Sequence, residues 1–199
     1  MTYFTLNISH SDNSCQSGIQ HGLKTYQAQR VFNLTAITAL YNTAVYDNYE
    51  NPLFIPESKV IIDQIQTVFS GPTPNAVKIG TVLSKESMIA ITEFLSAFPS
   101  IPIVTEMTVK MNDALFNDWC LSILPIASFV VLPKDQLARL KDIKKHINKE
   151  AVIIIISPTD ICVDNYNNTT YSHSLDMMSI GDIITASLAR GMTSFEQMF

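Results

Sequence analysis

AVKIGTVLSKESMIAITEFLSAFPSIPIVT, Ala76 to Thr105, is a strand, a helix and a second strand in succession. Ala76 to Gly80 and Ile101 to Thr105 are short apolar runs bounded by turn residues. Between them Met88, Ile91, Leu95 and Phe98 recur at helical spacing over Ser84 to Phe98. A helix joining two strands makes a crossover, and crossovers pair strands in parallel. The same unit recurs upstream. Tyr3 to Ser9 alternates like a strand. Gly18 to Arg30 places Ile19, Leu23 and Tyr26 on one helical face, and Asn33 to Leu40 is rich in β-branched residues. After a polar connection from Tyr41 to Pro56, the Glu57 to Phe69 helix turns Val60, Ile61, Ile65 and Val68 inward, and Gly71, Pro72 and Pro74 stop it.

Downstream, Asn112 is an N-cap for a helix over Ala114 to Leu124, Phe129 to Leu132 is a strand, and Asp135 to Ile147 a helix with a basic tail. Ala151 to Ser157, with four consecutive isoleucines, has the continuous apolar character of a strand covered on both faces. Asp160 to Asp164 and Thr169 to His173 make a hairpin, and Gly181 to Arg190 is the last helix. The expected architecture is an α/β sandwich of three layers around a mostly parallel sheet. Ligands in such sheets sit beyond the strand C-termini, so Ser9 to Gly18, Gly80 to Ser84, Thr105 to Asn112 and Asp176 to Asp182 should share one rim.

The chain's 199 residues, 47% hydrophobic, suffice for one domain over residues 1–199. Thirteen basic against 18 acidic residues give a net charge of -5, which argues against binding nucleic acid. No apolar run approaches the roughly 18 to 20 residues needed to cross a bilayer, and the first residues lack the basic region of a signal peptide. A soluble, cytoplasmic protein with no membrane partner is expected. Cys15, Cys120 and Cys162 are few and far apart, as reduced thiols would be. The Asn-x-Ser/Thr matches, Asn7 among them, then carry no meaning.

Two segments hold the candidate chemistry: SDNSCQSGIQHGLKT, Ser11 to Thr25, and SIGDIITASLARG, Ser179 to Gly191. Each is a loop running into a helix, where free N–H groups and the positive dipole end favour an anion. In the second segment Asp182 adds a carboxylate, suited to take a proton from a hydroxyl attacking a phosphate. An acid in a first helical turn also has a plain explanation, since it favours the dipole. His10, His21, His146 and His173 show no metal-ligand spacing. Met107, Met111, Met177 and Met178 either line an adaptable pocket or pack in the core, and Lys78 is a rim residue or a strand-end charge.

SDNSCQSGIQHGLKTYQAQRVFNLTAITAL resembles the opening of the hydroxymethylpyrimidine/phosphomethylpyrimidine kinases of thiamin synthesis, through Gly18, Ile19, Gln20, Leu23, Lys24, Thr25 and the Ile37 to Leu40 run. Lys78, Ile79 and Gly80 match that family's KIG motif. SIGDIITASLARG is similar to its glycine-rich C-terminal segment and to the GxGD signature of ribokinase-like kinases, pyridoxal kinases included. The resemblance implies a ribokinase-like fold and an ATP- and magnesium-dependent kinase of a hydroxymethyl pyrimidine or pyridoxal-type substrate. It implies Asp182 as general base, Ser179, Ile180 and Gly181 as anion hole, and Glu106 as the magnesium-organising acid. Ser11, Gly18, Gly22, Gly80 and Thr81 would border the substrate, and two copies could pair as a homodimer.

The departures from the family are as specific. Gly22 stands where the family has an aspartate, Ser14 to Ser17 replace a glycine-rich loop, and Pro133 to Gln136 replace an N-x-x-E motif, leaving Asp135 as a displaced substitute. Ser157 to Asp160 replace a lysine-bearing segment, and Asp182 stands where thiamin-type kinases carry Cys. These departures support an alternative expectation, a catalytically inactive ribokinase-like binding or regulatory protein.

Overall fold

In the computed structural model, residues 2–41, 52–107, 111–157, 160–164, 169–172, 180–193 and 195–198 are described. Their strands form one eight-stranded sheet in the order β2-β1-β3-β4-β5-β6-β7-β8. These are β1 (Phe4–Asp12), β2 (Phe32–Tyr41), β3 (Ala76–Ile79), β4 (Ile103–Glu106), β5 (Phe129–Pro133), β6 (Val152–Ile156), β7 (Asp160–Asp164) and β8 (Thr169–Ser172). The first six run parallel, and β7 and β8 return antiparallel as the expected hairpin.

The crossover helices cover both faces. On one side α2 (Ser58–Phe69), α3 (Lys85–Ser96), α4 (Asp113–Ser122) and α5 (Leu140–His146) bury Ile61, Ile65, Met88, Ile91, Trp119 and Ile143 against Leu6, Ile8, Val77, Ile79 and Val130 of the strands. On the other, α6 (Ile180–Ala189) and a short α7 (Phe195–Met198) bury Ile180, Ile184 and Met198 against Val104, Val131 and Ile154, and α1 (Gly18–Ala28) buries Tyr26 against Ala76 and Ala186. Strand periodicity sorts the side chains between these cores. In β6, Ile153 and Ile155 enter the first and Ile154 and Ile156 the second, which is why that run is apolar throughout.

Two helix starts follow directly from their caps. Ser84 Oγ accepts from the Ser87 amide at 3.2 Å, and Asn112 Oδ1 accepts from the Leu115 amide at 2.9 Å. Some expectations are corrected. Val60, read as inward, and Leu23, placed on one face with Ile19 and Tyr26, are 49% and 43% exposed, because Ile61 and Ile65, and Ile19 and Tyr26, already fill the buried stripes of their helices. The helix expected over 135–147 divides at Arg139 into a 3-10 segment, Lys134–Arg139, and α5. There the Arg139 guanidinium lies 4.3 Å from the Phe116 ring centroid and donates to the Met111 carbonyl at 3.3 Å. Met107 and Met111 belong to the core rather than to a pocket wall, and Met177 and Met178 lie outside the described residues.

Candidate active site

The middle of β1, the ends of β3 and β4 and the first turn of α6 meet between the sheet and its helical layer, and of the rim segments expected from sequence only Glu106, Gly181 and Asp182 join there. Period-two alternation sends Asn7, Lys78 and Glu106 to the same face of adjacent strands, with Asn7 directly beside Lys78 in the register. From the opposite layer α6 delivers Asp182 onto this polar row. Lys78 Nζ lies 2.6 Å from Glu106 Oε2 and 2.9 Å from Asp182 Oδ1. The three residues are 4%, 2% and 1% exposed, so the charges are desolvated and the ion pairs are unscreened by water. The Gly181 amide donates to Glu106 Oε1 at 3.3 Å, closing the second carboxylate oxygen.

Two acids and one ammonium share this buried space, and Glu106 and Lys78 respond to burial and to their neighbours. Burial pushes the Glu106 carboxyl above its ordinary range; Lys78 pulls it down and Asp182 pushes it further up. For Lys78, burial alone would depress the ammonium, but the Asp182 and Glu106 carboxylates more than offset this and hold it above an ordinary lysine. Burial, then Asp182, raises the Tyr26 phenol, which reaches the cluster from α1. The helices approach closely enough to require small residues. A Cβ at position 181 would fall 2.7 Å from Glu106 Oε2, and one at position 22 would fall 2.9 Å from both Asp182 Oδ1 and Asn7 Nδ2.

The first loop is folded around Asp12. Its Oδ1 accepts from the Ser14 amide and hydroxyl at 2.9 and 2.7 Å, and its Oδ2 from the Ser17 amide and hydroxyl at 3.1 and 2.7 Å. Ser17 Oγ also lies 2.9 Å from His10 Nε2. Cys15 takes a left-handed φ of 59° at the tip, where a family glycine would be unstrained. The buried His10 imidazole is pushed down to about 4, chiefly by burial, with Asp12 opposing and Lys78 adding to the depression.

The structure brings Gly22, Glu106, Gly181 and Asp182 together. Ile180 is a core side chain at the start of α6, and Ser179 lies outside the described residues. Ser11 and Gly18 flank the first loop, at the end of β1 and the start of α1: Ser11 Oγ accepts from Gln20 Nε2 at 2.5 Å, and Gly18, at φ 63°, packs against His10. Gly80 leaves room for Ser9 Oγ, and the Thr81 carbonyl accepts from Thr38 Oγ1 at 2.5 Å. Glu106, expected at a magnesium ion, does not fit one as it stands. Its oxygens face an ammonium and an amide, and no group of three metal-ligating residues occurs among the described residues. Asp135, the substitute acid, is exposed on the 3-10 segment and does not join the cluster. Sequence reasoning missed Asn7 and Tyr26. The alternation of TLNIS, with Asn7 on the face of Thr5 and Ser9, was the available signal for Asn7.

A family model described as phosphomethylpyrimidine kinase matches residues 12–151. The chain is 33% identical over 118 residues to the hydroxymethylpyrimidine/phosphomethylpyrimidine kinase of Rhizobium meliloti (strain 1021), covering 59% of this chain and 44% of that one. It is 32% identical over 75 residues to the pyridoxine kinase of Bacillus subtilis (strain 168), covering 38% and 28%. The matched stretches thus span less than half the length of these curated relatives. Among solved structures, phosphomethylpyrimidine kinase from Clostridium difficile 630 superposes with a TM-score of 0.78 at 22% identity, covering 99% of this chain and 95% of that one. The pyridoxal kinase from Staphylococcus aureus in complex with pyridoxal gives 0.81 at 20% identity, covering 100% and 84%. At these identities the likeness is one of fold, and the fold is ribokinase-like.

Proposed function

The chain belongs to the phosphomethylpyrimidine kinase family, and from that premise we propose that it transfers a phosphoryl group from ATP to the hydroxymethyl group of a pyrimidine or pyridoxal-type heterocycle. The observation that carries this reading is the family match together with an acid buried at the mouth of α6, beside the backbone amides of that helix. ATP supplies the phosphoryl group, and magnesium enters only as the ion accompanying it, with no ligand assigned in this chain. Ser11, Gly18, Gly22, Gly80 and Thr81 border the substrate space, and Ser179, Ile180 and Gly181 form the anion hole, to which the Gly181 amide contributes once it leaves Glu106 for the transferred phosphate. Asp182 takes the hydroxyl proton on Oδ2, while Lys78 holds Oδ1. The expected setting is the cytoplasm, and the expected assembly a homodimer, for which the part of the β2 edge before Ile37 and the exposed Phe32 are suited.

The test is ATP-dependent phosphorylation of hydroxymethylpyrimidine and of pyridoxal, followed by product mass. Asp182→Asn is expected to lower turnover by about 100-fold or more, and unchanged turnover would remove Asp182 from the role of base. A second reading has its own support, because the Asp182 carboxylate is 1% exposed and the Gly181 amide is already engaged by Glu106. On that reading the protein binds the heterocycle without turning it over. It would then be stabilised thermally by the heterocycle and not by Mg-ATP, and measurable coupled ATP consumption would reject it.

A further inference from the structure

We propose that positions 22 and 182 share one buried space, and that Asp182 supplies to Lys78 a second countercharge that a carboxylate at position 22 could supply in its place. The geometry is direct. An ideal Cβ on Gly22 would stand 2.9 Å from Asp182 Oδ1 and 3.1 Å from its Cγ, well inside ordinary contact. That same Oδ1 is the atom 2.9 Å from Lys78 Nζ. A carboxylate grown from position 22 would therefore extend into the volume the Asp182 carboxylate now fills, toward the same ammonium. The two acids exclude each other sterically, and with Glu106 already 2.6 Å from Lys78, a third buried carboxylate would have no cation to face.

Asn7 strengthens the case. Its amide is fully buried, has no hydrogen-bond partner among the described residues, and points Nδ2 to within 2.9 Å of the same Cβ position. It is a donor available to a carboxylate entering from either helix. Gly22 on α1 and Asp182 on α6 are thus one coupled solution to the charge of Lys78. Asp182 is a positioning residue for the Lys78–Glu106 pair, whether or not it also accepts a proton from substrate.

The experiment compares unfolding of the full chain with four variants: Gly22→Asp, Asp182→Ala, the double variant Gly22→Asp/Asp182→Ala, and the neutral isostere Gly22→Asn/Asp182→Ala. Each single variant is expected to lower the thermal midpoint by about 5–15 °C. The charged double variant should recover at least half of the Asp182→Ala loss, and the neutral double variant should not. Losses that simply add in the charged double variant would overturn the proposal, and so would equal recovery by the neutral one, since packing alone would then suffice. Should Gly22→Asp fail to fold, Gly22→Ala is measured in the wild-type and Asp182→Ala backgrounds. A smaller cost in the second background supports the shared space, and an equal cost rejects it. None of these readouts uses turnover, so they stand or fall apart from the kinase reading.

Discussion

His10 shows how one buried residue sets a response to pH. Its ring is fully buried near the end of β1, edge-on to Tyr41 and against Ser17 Oγ, and burial holds it neutral down to about pH 4. The unfolded chain protonates this histidine near its ordinary value of 6.5, so below that pH the unfolded state binds more protons than the folded one. Stability contributed by the neutral ring is complete above pH 6.5 and is lost as the pH falls toward 4. The size is about 3 kcal/mol at the low end. In His10→Gln, which stays neutral, urea unfolding should show a shallower loss between pH 6.5 and 4 than the wild type. Identical pH slopes would mean that His10 titrates normally in the folded chain. Lys78 teaches the complementary point: its sequence neighbours Val77 and Ile79 announce a strand, yet only the alternation reveals that it turns inward beside Asn7.

At the scale of elements, the parallel strands gain their alignment from polar ties as well as from packing. Trp119 of α4 is 1% exposed and donates its indole N–H to Thr105 Oγ1 of β4 at 3.1 Å. This bond fixes the helix against the strand whose next residue is Glu106, so α4 sets the position of one member of the charged cluster. Trp119→Phe keeps most of the apolar volume but leaves the buried Thr105 hydroxyl without that donor. The expected cost is about 1–2 kcal/mol, or a fall of about 2–8 °C in the thermal midpoint. A neutral effect would show that packing alone positions α4. The two segments of residues 134–146 are placed by a tertiary tie of the same kind, Arg139 to Phe116 and Met111, which no local propensity encodes.

For the whole molecule, the order of elements was legible because each strand and helix carries its own periodicity, and a parallel sheet follows from the crossovers alone. The site was legible only in part. Asp182, Gly181 and Glu106 stand in motifs that sequence can read, but their mutual contact depends on α6 returning 75 residues after β4 to lie on its polar face. Gly22 reads as a lost contact until the structure puts Asp182 in its space. The sheet order makes a final expectation at this scale. Strands β3, β4 and β5 lie centrally between two helical layers, whereas β2 and β8 are edges, so amide exchange should be slowest in Ala76–Ile79, Ile103–Glu106 and Phe129–Pro133. Along β2, the outward amides of Ile37 and Leu40 are held by Gln64 and by the Phe54 carbonyl, so the outward amides before Ile37 are the ones that should exchange quickly in dilute protein. If they become protected as concentration rises, a second copy covers that edge and the homodimer stands. If they stay fast at concentrations where scattering reports a dimer, the copies meet elsewhere, and the exposed Phe32 edge is not their interface.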